Sequence, residues 1–117
     1  MKKENKMPYI KVTTNASGVD AGKLEKKLGE AIALIPGKTE RWLMTKVEDG
    51  AKMAFAGTEE PCVMAEVSLF GAASRDAYDK LTAELCRALA EATGAPENRV
   101  YVKYEETGTW GWSGSNF

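Results

Sequence analysis

At a fixed offset of 57 residues the chain repeats itself without a gap. Ile10 maps onto Val67 and Val12 onto Leu69; Leu24, Leu28 and Ile32 map onto Leu81, Leu85 and Leu89. Gly37 maps onto Gly94, Glu40 onto Glu97, Leu43 onto Val100, Thr45 onto Val102, Lys46 onto Lys103 and Glu48 onto Glu105. One register held through three stretches of different periodicity marks a duplicated supersecondary unit.

Each copy reads as strand, helix, strand. From Tyr9 to Thr14, Ile10 and Val12 fall on one face and Tyr9, Lys11 and Thr13 on the other, the alternation of a half-buried strand. Asn15-Ala16-Ser17-Gly18 is a turn, and helix N-cap candidates lie between Ser17 and Asp20. Leu24, Leu28, Ile32 and Ile35 then recur at helical spacing, with Lys23, Glu25, Lys26, Lys27 and Glu30 between them, until Pro36-Gly37 ends the helix. Leu43, Thr45 and Val47 alternate with Trp42, Met44, Lys46 and Glu48 as the second strand. A loop through Asp49-Gly50 and from Gly57 to Pro61 joins the two copies. A β-α-β crossover makes its strands parallel and lays the helix on one sheet face. The fold expected is α+β: two pseudo-symmetric β-α-β units forming a four-stranded mixed sheet with both helices on one side.

The opposite sheet face then carries Lys11, Thr13, Lys46, Glu48, Glu66, Ser68, Tyr101 and Lys103. That is too polar for a dry core and suits a solvated channel or the interior of an oligomer. The tail Thr109-Trp110-Gly111-Trp112 holds two of the three tryptophans. An aromatic terminus of this kind docks on something, a neighbouring subunit being the simplest candidate.

Composition narrows the chemistry. At 117 residues the chain is one domain, and a net charge of −1 gives no electrostatic footprint for nucleic acid. No long apolar run suggests a signal peptide or a membrane span. Histidine is absent, which removes Ser-His-Asp and Cys-His nucleophilic sites and any zinc site built on histidine. Cys62 and Cys86 lack metal or CxxC spacing and read as buried small hydrophobes. Acid–base work falls to carboxylates, lysine, tyrosine or a terminal amine.

Met7-Pro8 is where a terminal amine would arise. With residues 1–7 absent, Pro8 presents a free secondary amine; with them retained, its nitrogen is an amide without basicity. Residues 1–7 are expected to be a tail or a mis-assigned start ahead of a domain at 8–117. Lys2-Lys3-Glu4-Asn5-Lys6 back-translates into purine-rich codons resembling a bacterial ribosome-binding site before a Met7 initiator. A start at Pro8 would take the net charge from −1 to −3. Ordinary explanations stand beside this one. Pro8 fits the start of an edge strand, and Lys38 after Gly37 fits a helix C-terminus. Gly37-Lys38-Thr39 is not a phosphate loop, since Ile32 stands where the first glycine is required.

The Met-Pro start before a strand, Gly37-Lys38, Met53-Ala54-Phe55, Glu60-Pro61-Cys62, Asn98-Arg99-Val100-Tyr101 and the terminal Gly-Trp-x-x-Ser-x-Phe together resemble the macrophage migration inhibitory factor family. The likeness runs in order from Met7 to Phe117. It implies a homotrimer and a cofactor-independent keto–enol tautomerase of the phenylpyruvate or dopachrome type. Pro8 would be the general base. Lys38 would bind the substrate carboxylate and lower the amine's pKa by like charge. The backbone N–H of Phe70 would hold a substrate oxygen, Tyr101 of a neighbouring subunit would hydrogen-bond the substrate, and Trp42 and Trp110 would be aromatic walls.

Two departures bear on this. The family's asparagine two residues beyond the tyrosine is Lys103, adding positive charge near the site, and the second cysteine of its CxxC is Ala65, which removes thiol-redox chemistry. The likeness also implies a cytoplasmic chain or one exported without a signal peptide. A cytokine-like homotrimer with a receptor or host protein partner, weak or silent in catalysis, is the alternative. A ligand-binding α+β module with a different assembly is a third.

Overall fold

The computed structural model describes residues 7–116. In chain order it contains β1 (Pro8–Thr14), α1 (Ala21–Ala31), β2 (Met44–Glu48), β3 (Val63–Phe70), α2 (Arg75–Thr93) and β4 (Val100–Thr107). A terminal hairpin of β5 (Gly111–Trp112) and β6 (Ser115–Asn116) follows. The main sheet has the order β2-β1-β3-β4. Each repeat supplies one parallel pair, β1 with β2 and β3 with β4, and the two copies meet where β1 runs antiparallel to β3. Ile10 sits directly opposite Val67, its own repeat mate, so the pseudo-twofold axis passes between these two residues.

The alternation along β1 and β3 explains which face is dry. Ile10, Val12, Ala65, Val67 and Leu69 are fully buried against Leu24, Leu28, Leu81, Leu85 and Leu89 of the helices. Each such leucine contributes about 1.5–3 kcal/mol by leaving water. On the far face the register aligns Lys46, Lys11, Glu66 and Lys103 in one row across all four strands. Among the described residues no helix is long and apolar enough to cross a membrane.

Asp20 caps α1 by accepting the Lys23 N–H at 3.1 Å, and Ser74 caps α2 through Ala77 N–H. α2 ends at Gly94, in the left-handed conformation at φ 81, as expected. α1 ends earlier than its apolar spacing predicts. After Ala31 the chain tightens into a 3-10 turn at Ile32–Leu34, although Ile32 and Ile35 stay buried. The cause is Pro36, which disfavours a helical residue before it; Ile35 is extended (φ −89, ψ 117). Pro36-Gly37 is therefore the centre of a β-turn beyond the helix, closed by the Lys38 N–H on Ile35 O at 3.0 Å. Gly37 at φ 84 supplies the conformation a side chain would resist.

The second strand also begins later than expected. Glu40–Trp42 form a 3-10 turn and pairing starts at Met44. Gly29 lets this turn lie on α1: a Cβ there would meet Glu40 Oε2 at 2.7 Å and Cγ at 2.9 Å.

The loop between the copies is held by two side chains. Asn15 donates to Glu59 O (2.9 Å) and Glu60 O (3.1 Å) while its Oδ1 accepts Cys62 N–H (2.9 Å). Arg99 reaches the carbonyls of Pro61 and Glu60 (3.0 Å each), Phe55 (3.2 Å) and Thr58 (3.3 Å). Cys62 is buried as expected, whereas Cys86 is half-exposed, and both are free thiols.

Candidate functional site

Pro8 opens β1, opposite Leu69. The edge-strand explanation for this proline is corrected by the topology, because β1 lies inside the sheet between β2 and β3. Proline is tolerated there because it is the first residue of its strand, where a missing N–H interrupts the ladder least. One residue earlier, Met7 extends the pairing: the Phe70 N–H donates to Met7 O at 3.1 Å, and Met7 is 3% accessible.

Phe70, the last residue of β3, joins two groups at this end of the sheet. Its N–H faces Met7, and its carbonyl accepts from Lys38 Nζ at 3.0 Å. Lys38 is only 4% accessible. It does not cap a helix; α1 has already ended, and the Pro36-Gly37 turn carries Lys38 inward to the end of β3. A buried ammonium on a backbone carbonyl is a charge-assisted contact, and it places a cation beside the first residues of β1.

A cleft of about 780 Å³ opens at the same place, with Met7, Pro8, Ser68, Trp42, Trp110 and Trp112 among its walls. The 3-10 turn presents Trp42, and the β5–β6 hairpin folds back so that Trp112 meets Trp42 edge-to-face, centroids 5.2 Å apart at 81°. The tail thus docks on its own chain. Arg41 also lines the cleft, its guanidinium carbon 5.8 Å from the Trp42 ring centre. Aromatic walls with a cation at the rim suit a flat, anionic, largely apolar ligand. A smaller groove of about 260 Å³ between α1 and α2, edged by Lys23, Lys27 and Glu91, gathers surface side chains and no nucleophile.

The structure therefore brings Pro8, Trp42 and Trp110 to one cleft and ties Lys38 and Phe70 to its Pro8 end. Tyr101 and Lys103 stand elsewhere in the chain. Tyr101 is aligned through Met64 with Thr13, at the opposite end of β1 from Pro8. It is 60% accessible, and its ring rests on Phe55 at 4.9 Å. Lys103 forms an ion pair with Glu66 at 3.5 Å. Met7, Arg41 and Trp112 also line the cleft; the sequence marked Met7 as the residue before Pro8 and Trp112 as part of the aromatic tail, but assigned none of the three a place in the site. Arg41 carried one signal, its position beside Trp42; the contact Met7 makes carried none, because it is made by a backbone carbonyl. Among the described residues no group of three or more His, Cys, Asp or Glu side chains is placed to hold a metal ion.

A family model described as macrophage migration inhibitory factor matches residues 7–117. The macrophage migration inhibitory factor of Mus musculus is 30% identical over 95% of this chain and 99% of its own length. The homolog from Brugia malayi is 28% identical with the same coverage. Among solved structures, Leishmania major MIF2 superposes with a TM-score of 0.88 at 27% identity, covering 95% of this chain and 97% of that one. The Prochlorococcus marinus homologue superposes at 0.85 and 30% identity, covering 93% and 98%.

Proposed function

Because the chain belongs to the macrophage migration inhibitory factor family, we propose that it is a cofactor-independent keto–enol tautomerase of enolisable aromatic keto acids, of the phenylpyruvate or dopachrome type. The observation that carries the reading is the position of Pro8. It opens a central strand at the wall of a tryptophan-lined cleft, with the buried Lys38 tied to the neighbouring strand end. The active domain begins at Pro8, with the residues before it as an extension.

With its nitrogen free, Pro8 takes a proton from the carbon next to the substrate carbonyl. The electron pair of that C–H bond moves into the carbonyl, and the resulting ammonium returns the proton to the oxygen, giving the enol; the reverse order gives the keto form. A terminal amine has a pKa of about 8 in model peptides, so it serves as both base and acid near neutrality. Lys38 and the Phe70 N–H hold the acid's oxygens, which keeps the developing enolate charge close to donors. Trp42 and Trp110 take the aromatic ring. Tyr101 and Lys103 reach the substrate from a neighbouring subunit of a homotrimer.

The test is phenylpyruvate turnover by a chain beginning at Pro8. Pro8→Gly, or covalent blocking of the amine, removes most of the activity. Undiminished turnover in both refutes the role given to Pro8.

A second reading is favoured by Met7. In the chain that retains it, the Pro8 nitrogen is an amide, and Met7 O takes the Phe70 N–H. Such a chain fits a cytokine-like homotrimeric interaction protein with little or no catalysis. Isolation from its source with residues 1–7 in place and without turnover supports that reading over the first.

A further inference from the structure

We propose that Arg41 is a second anion-binding residue of the cleft, selecting aryl keto acids that carry a further acidic group on the ring. Which reaction such acids undergo rests on the tautomerase reading; their binding rests on the cleft alone.

Among the described residues Arg41 is the only charged side chain in the cleft wall, and no aspartate or glutamate shares that wall. The neighbouring carboxylate, Glu40, is turned onto α1, so close that a Cβ at Gly29 would meet its Oε2 at 2.7 Å. The ion pairs formed among the described residues join other side chains. The Arg41 guanidinium carbon lies 5.8 Å from the centre of the Trp42 ring, and Trp112 braces that ring in turn at 5.2 Å. An arginine resting on an aromatic ring keeps the N–H donors at its edge available. A planar fork of donors held at the mouth of an aromatic cleft suits a carboxylate, which it binds through two parallel hydrogen bonds.

The sheet sets where that second anion sits. Pro8 stands opposite Leu69 of β3 on one side, and the next residue, Tyr9, stands opposite Met44 of β2 on the other. Lys38 is tied to the last residue of β3, whereas Arg41 lies in the turn Glu40–Trp42 that leads into β2. Both cations come from the one segment joining α1 to β2, yet they serve opposite sides of the β1 end. The strands flanking β1 are about 10 Å apart, twice the usual spacing. A ligand whose first carboxylate lies toward Lys38 therefore meets Arg41 only across a rigid spacer. An aromatic ring substituted opposite its keto-acid arm is such a spacer, and the tryptophans of the wall take its faces. The ring acid does not react, so Arg41 holds it equally before and during proton transfer and acts on KM more than on kcat.

Two non-reacting probes, 3-phenylpropionate and 3-(4-carboxyphenyl)propionate, are compared by calorimetry. Both the 1–117 chain and the chain beginning at Pro8 are titrated. The dicarboxylate is expected to bind about tenfold more tightly in at least one of them, the low end of what a charge-assisted hydrogen bond gives. Arg41 is exposed, so its replacement leaves the core intact. Arg41→Gln should bring the ratio below about twofold, and Arg41→Lys should keep part of it, since the charge stays and the fork is lost. Equal affinities in both chains, a preference that survives Arg41→Gln, or no binding of the dicarboxylate by either chain overturns the proposal. Turnover of phenylpyruvate and of its 4-carboxy derivative is measured alongside, in the chain beginning at Pro8. A lower KM for the 4-carboxy acid, lost in Arg41→Gln, is the expected result. Turnover of both acids with one KM overturns the proposal and leaves the tautomerase reading in place. An Arg41-dependent binding preference without turnover of either acid leaves the second anion site standing and removes that reading instead.

Discussion

Lys38 Nζ donates to the Phe70 carbonyl at 3.0 Å, joining the turn after α1 to the last residue of β3. Burying an ammonium is unfavourable, and the charge-assisted bond offsets part of that penalty. The two terms nearly cancel in Lys38→Met, which keeps the unbranched shape. Stability should change by about 1 kcal/mol or less, read as a urea midpoint. In the chain starting at Pro8, KM for phenylpyruvate should rise about tenfold or more, the loss of one charged contact. An unchanged KM would assign the carboxylate to another cation, with Arg41 the first to test.

Tyr101 and Pro8 stand at opposite ends of the sheet, about 17 Å apart along the strands at the usual rise per residue. If a site is completed by a neighbour's Tyr101, Pro8→Gly and Tyr101→Ala chains are each inactive alone but complement when mixed. With random assembly roughly a quarter of sites in the mixture regain both groups. Mixing the two after reversible dissociation and measuring turnover checks this. No recovery would mean that Tyr101 lies outside the site.

Arg99 holds four carbonyls of the loop between the repeats, and Phe55 lies against both Arg99 and Tyr101. Lysine cannot reproduce a planar fork spread over several acceptors. Arg99→Lys should destabilise the chain by about 1–3 kcal/mol and speed amide exchange across residues 53–61. Unchanged exchange there would place the loop's support on Asn15 instead.

The Tyr78 phenol is pushed up to about 12, first by burial and then by its hydrogen bond to Glu106. The folded chain therefore keeps a proton that the unfolded chain releases near 10. The stability this group contributes is full below that value and is lost as pH rises toward 12. Glu106→Gln removes the charged acceptor, so the phenolate absorbance should appear at lower pH than in the parent, while burial keeps it above 10. An unshifted titration would leave burial as the sole cause.

The duplicated pattern was enough to derive the sheet, both helices and the polar far face, because core periodicity is written in side-chain type. Element ends were less legible. Pro36-Gly37 reads as a helix stop, yet the helix had already tightened at Ile32, since the constraint on Ile35 acts ahead of the proline itself. Pro8 looked like an edge residue because strand order depends on how the copies meet, which no local pattern encodes. Within the site, Pro8, Lys38, Phe70, Trp42 and Trp110 were singled out through the family likeness. Met7 and Trp112 belong to the motifs of that likeness but were given no place in the site, since one makes its contact through a backbone carbonyl and the other through a hairpin that folds back on Trp42.

The axis between Ile10 and Val67 has an implication for how many sites a chain can carry. Symmetry offers each half an equivalent corner, but the mate of Pro8 is Ala65, buried inside a continuous strand, and the mate of Lys38 is Ala95, also buried. A polypeptide has a single amino end, so at most one of the two copies can begin with a terminal amine. The corresponding corner of the second copy is filled by two small buried side chains and belongs to the core.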